Sequence, residues 1–127
     1  MNTLLIIGAS LLGAHSTFLL AQRTRLGAIR SSTLASLVFI ALTAPFGWLV
    51  APKLQAAFFG ASFVGMSDAK RLSEKSILLA ALIFSALFFG VSCLPISLGG
   101  SLGTSAFLAC LLAHAINSRL AGAAARA

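Results

Sequence analysis

The sequence predicts an all-α integral membrane protein, a bundle of five transmembrane helices with a short third one, and three observations carry that reading. Apolar residues make up 59% of the 127 residues and charged ones only 9%, whereas a soluble domain carries about 25% charged residues. The apolar runs are long and are interrupted mainly by Gly, Ala, Ser and Thr, the composition of packed membrane helices. Basic residues fall in short clusters between those runs, where they orient the chain across a bilayer. Residues 1–127 read as a single transmembrane domain.

A hydrocarbon core of about 30 Å takes about 20 helical residues. Residues 3–21, 33–51, 76–94 and 101–118 meet or approach that length. A fifth stretch, 53–67, reaches only about 22 Å at about 1.5 Å per residue. Charge decides whether it counts. If it does not cross, Arg23, Arg25 and Arg30 face one side and Lys53, Lys70, Arg71, Lys75, Arg119 and Arg126 the other. If it crosses, Lys53 alone opposes the remaining eight basic residues, which is the bias the positive-inside rule requires. The expectation is therefore five spans in a cytoplasmic (inner) membrane, with the N-terminus outside and the C-terminus in the cytoplasm. The alternative is four spans plus a re-entrant segment at 53–67; the mismatch of a short span costs only fractions of a kcal/mol per ångström. Residues 4–21 lack a basic leader and read as a retained first span, not a signal peptide.

Between spans two and three, Pro45, Gly47 and Pro52 cluster. A kink is expected near Pro45, which lacks an amide donor, and Pro52 suits the first turn of the next helix. That makes residues 51–53 a tight outer turn, with Trp48 at the membrane interface. Ser67 or Asp68 is expected to cap a helix running on to Lys75. Residues 94–103, with Pro95, Gly99, Gly100 and Gly103, read as an outer loop.

Small residues recur at four-residue spacing in three places: Ala9, Gly13, Thr17 and Ala21; Ala57, Ala61 and Gly65; and Ser101, Ser105, Ala109 and Ala113. Lipid tails are as apolar as leucine, so membrane helices associate by close backbone approach, which such stripes permit.

The net charge of +7 does not point to nucleic acid, because orientation accounts for the clusters. Arg23, Arg25, Arg30, Lys70, Arg71, Lys75 and Arg119 read as membrane-surface groups facing anionic headgroups. Asp68 and Glu74 sit among basic neighbours, where surface pairing explains them. Cys93 and Cys110 have no metal or disulfide pattern and read as small buried hydrophobes. Apart from Lys53 at the very start of the short stretch 53–67, no Asp, Glu, Lys or Arg lies in an expected span, which argues against an ion-coupled pump and against an enzyme.

His15 and His114 are the ionisable residues deep in apolar stretches, and such residues are functional candidates. Parallel first and fifth spans would put both rings at similar depth in the inner half of the bilayer. A neutral ring bonded to a neighbouring helix is the plain reading. The alternatives are a proton relay or pore lining, and haem or metal ligation. No carboxylate is expected near either ring to orient it, and no cofactor is otherwise implied. The segments 60–67 and 99–105 echo one another weakly. Unwound backbone there, with Ser62, Ser101, Thr104, Ser105, His15 and His114, would line a polar pathway. The chain thus reads as a non-enzymatic accessory or structural subunit of a membrane complex, partnered by other membrane subunits or by copies of itself. A passive channel or transport component working as an oligomer, and a histidine-ligated redox anchor, are the alternatives.

Overall fold

A computed structural model describes residues 3–94 and 98–126. Five α-helices follow one another: α1 (Thr3–Arg23), α2 (Gly27–Thr43), α3 (Ala51–Gly65), α4 (Glu74–Ser92) and α5 (Leu98–Arg126). A 3₁₀ turn, Ala44–Phe46, separates α2 from α3, and the described residues hold no strand. Among the described residues, four helical segments are long and apolar enough to cross a membrane: Thr3–Arg23, Gly27–Phe46, Glu74–Ser92 and Gly100–Arg126. The third helix, with 15 residues, is about 22 Å long.

Side-chain neighbours fix the directions. A Cβ built on Gly13 would meet the Phe58 carbonyl, and one on Gly65 would overlap the Ala14 carbonyl and Thr17. Both contacts require the same offset, so α1 and α3 run parallel. Thr43 meets Gln55 and Ser32 meets Ser62, so α2 runs opposite to α3. Leu102 lies beside Gly60 and Cys110 beside Ser67, which makes α5 parallel to α3. His15 faces Glu74 at the start of α4, and Phe84 reaches Gly60, so α4 runs opposite to α1. Helix directions therefore alternate along the chain, α1, α3 and α5 one way and α2 and α4 the other.

α1 and α3 form the most intimate helix pair, with Gly13 against the Phe58 backbone and Ala14 and Thr17 against Gly65. A methyl on Gly13 would sit 2.5 Å from the Phe58 carbonyl oxygen, a spacing only glycine permits. The main core joins α1, α3, α4 and α5 around Ile6, Val64, Ile77 and Phe84. Ala109 and Ala113 of α5 belong to it, and Ser105 is buried beside them. α2 lies at the edge, held through Ala35 and by Phe39 stacked on Phe58 at 4.0 Å between ring centroids.

Several helix ends differ from the sequence expectation. α2 begins at Gly27, whose φ of +79° makes the α1–α2 connection tight. Arg30 therefore belongs to the helix, not to a loop. At the other end α2 stops at Thr43 and Pro45 lies in the 3₁₀ turn, so Pro45 ends the helix and makes no kink in it. Pro52 occupies the first turn of α3, and the connecting turn is residues 47–50, ahead of 51–53. Neither Ser67 nor Asp68 caps α4. Ser73 does, accepting from the Ser76 amide at 3.4 Å, because the chain makes an extra turn on the Asp68 carbonyl first. Gly99, Gly100 and Gly103 lie within α5, since a helix tolerates glycine when its neighbours pack. Pro95 lies outside the described residues.

Candidate functional site

Alternating directions bring Arg23, Arg25, Arg30, Lys70, Arg71, Lys75, Arg119 and Arg126 to one end of the bundle, together with Asp68 and Glu74. Lys53 lies at the other end, near the exposed Phe46, Trp48 and Leu49. The basic end is uneven. α3 stops level with Thr17, so α1 continues about 9 Å past it. From Cys110, level with Ser67, α5 runs on about 24 Å to Arg126. The α3–α4 turn therefore forms the floor of a recess flanked by longer helices.

That floor is built by local bonding. Asp68 accepts the Lys70 amide on its carboxylate at 3.0 Å, and its carbonyl accepts the Arg71 and Leu72 amides at 2.9 and 3.1 Å. Leu72, buried against the core, anchors the turn. Ser67, Asp68, Arg71, Phe107, Cys110 and His114 line a cleft of about 260 Å³ between the turn and α5. The Ser67 hydroxyl and the Cys110 thiol meet there at 3.4 Å. On the other flank, His15 Nε2 lies 3.6 Å from Glu74 Oε1. The carboxylate sits in the first turn of α4, where the helix dipole favours it.

His15 thus has a carboxylate beside it, Glu74, contrary to the sequence expectation, whereas His114 only shares its cleft with Asp68. The reason is the short α3, which lets the chain turn back early and starts α4 within reach of His15. The two rings are not at one depth. Cys110 is level with Ser67, which places His114 about two turns nearer the basic end than His15. They lie on separate flanks, and among the described residues no three His, Cys, Asp or Glu converge as a metal site would need.

The hydroxyl candidates do not share one path. Ser62 is fully buried between α2 and α3. It donates to the Phe59 carbonyl at 2.6 Å, so the 2.7 Å contact with Ser32 is Ser32 donating to Ser62. Ser105 is buried, Ser101 half-buried and Thr104 exposed. Thr104 bonds back to the Gly100 and Ser101 carbonyls of its own helix. Residues 60–65 and 99–105 are helix and not unwound, whereas Met66 and Ser67 of the first segment lie beyond the end of α3; the carbonyls of residues 62–64 accept from the amides of Met66 and Ser67. Sequence reading missed Ser32, Glu74 and the Ser67–Cys110 contact. Ala28, Ser32 and Ser36 on α2 repeat at the same four-residue spacing as the stripes that were recognised, and that signal would have found Ser32.

Comparison with protein-family models, curated proteins and solved structures finds no match to this chain.

Proposed function

We propose that this chain is a non-enzymatic accessory subunit of a membrane assembly, crossing the bilayer five times with its basic end in the cytoplasm. The observation that carries the reading is the closed centre of the bundle combined with its apolar exterior. Where a solute pathway would run, α1 meets α3 backbone to backbone, and the Phe84 ring fills the space over Gly60. Outside, Leu12, Leu37, Leu42, Leu82, Phe107 and Leu111 are all exposed. A molecule with a filled interior and an apolar surface acts through that surface, on lipid and on neighbouring subunits. Alternating helix directions and eight basic residues against one support five crossings with the basic end inside. The shortness of α3 is compatible, because bilayers thin at modest cost.

Two measurements test this. Cysteines placed singly at Lys53, Arg25 and Lys70, in a chain lacking Cys93 and Cys110, are expected to label from opposite faces of the membrane, Lys53 apart from the other two. Labelling of Lys53 from the same face as Lys70 overturns the five-crossing topology. Gentle-detergent purification from native membranes, with mass determination, is expected to recover stoichiometric foreign subunits. Recovery of the chain alone or as a homo-oligomer overturns the subunit reading.

A further inference from the structure

We propose that the membrane-facing groove between α1 and α2 binds one anionic phospholipid of the leaflet on the basic side, with an acyl chain along the groove and the phosphate on Arg23 and Arg30. The proposal rests on the membrane-embedded reading above. The groove has a volume of about 400 Å³ and is walled by Leu12, Ser16 and Leu20 of α1 and by Leu34, Val38 and Leu42 of α2. The stacked rings of Phe39 and Phe58 contribute to its lining. Its one hydroxyl, on Ser16, donates to the Leu12 carbonyl of its own helix, so the lining presents hydrocarbon throughout. From Leu12 to Leu20 the groove runs about 12 Å, close to one leaflet, half of a hydrocarbon core of about 30 Å.

Charge selects the occupant. Arg30 lies four residues before Leu34 and Arg23 three after Leu20, so each continues the lining of its own helix to the basic mouth. Both are exposed, and among the described residues neither has a carboxylate partner. Glu74 lies at His15 and Asp68 binds its own turn, and no Asp or Glu precedes Asp68 in the sequence. Two arginines without counter-ions at the end of a dry groove match a molecule carrying an acyl chain and a phosphate together. The guanidinium fork suits phosphate oxygens better than a lysine would.

The test is native mass spectrometry of the full chain in detergent, titrated with phosphatidylglycerol or with phosphatidylcholine of the same chains. Phosphatidylglycerol is expected to bind preferentially. Each basic group near an anionic lipid contributes about a factor of five, so Arg23→Gln with Arg30→Gln is expected to weaken it about 25-fold. Val38→Trp, at a half-exposed groove wall, is expected to block the chain without entering the core. Lys70→Gln with Lys75→Gln removes equal charge elsewhere and is expected to change binding by less than about twofold. Equal binding of both lipids overturns the site, as does an equal loss in the lysine variant or no loss in Val38→Trp. Alkaline carbonate extraction of the same membranes separates the two levels. A chain that stays embedded but binds lipids indiscriminately refutes the groove alone, whereas a chain that is released refutes the membrane reading itself.

Discussion

At the scale of single residues, steric contact is expected to outweigh polar contact in this bundle. Gly13 lies against the Phe58 carbonyl with no space for a side chain, and its neighbours there are backbone atoms that cannot rotate away. Overpacking a core costs about 1–3 kcal/mol, so Gly13→Val is expected to destabilise the fold by about 3 kcal/mol, read from the unfolding midpoint in detergent. The buried Ser32–Ser62 hydrogen bond is expected to matter less. Interhelical hydrogen bonds in membrane proteins average about 0.6 kcal/mol, and a double-mutant cycle with Ser32→Ala and Ser62→Ala should return a coupling of that size. A cycle exceeding the Gly13→Val cost would show that the polar contact, not the close approach, holds the helices. Four-residue spacing made Gly13, Ala57, Ala61 and Gly65 legible as small stripes. Which stripe meets which was not, because every stripe has the same chemistry.

At the scale of elements, the short α3 shapes the basic end. Its 15 residues end beside Thr17, and the α3–α4 turn hangs there on the buried Leu72. Truncating a buried leucine costs about 2–5 kcal/mol, and Leu72 is the buried residue in the otherwise exposed stretch 68–73. Leu72→Ala is expected to cost about 2 kcal/mol, at the low end because lipid or solvent can follow the turn as it relaxes. A cysteine at Ala69 should then react faster with a water-soluble maleimide, whereas unchanged reactivity would mean that the Asp68 turn holds by itself. The helix count and the short third helix were legible from apolar run lengths. Helix ends were not, since Gly27, Pro45 and Ser73 act through local backbone geometry that hydropathy does not register.

For the whole molecule, charge placement is expected to set orientation in a bilayer. Eight of nine basic residues share one end, so replacing Arg23, Arg25 and Arg30 with glutamine still leaves five against Lys53. Orientation is expected to survive that change. Adding three arginines to residues 46–50 of the same variant brings the two ends to five and four, and dual orientation is expected, visible as labelling of a Lys70→Cys variant from both faces. A single orientation after that transfer would mean that helix packing fixes the topology.

The sequence by itself determined the helical class, the number of helices and the charge asymmetry, because each follows from local composition: apolar run length, breaker residues and the position of each basic cluster. The tertiary structure alone decided that α1 and α3 pair backbone to backbone. It also decided that Glu74 reaches His15 and that α1 and α2 enclose an apolar groove between Leu12–Leu20 and Leu34–Leu42. Those facts depend on the axial offset between neighbouring helices. That offset is set by the complementarity of two surfaces, and no stretch of a single helix contains it.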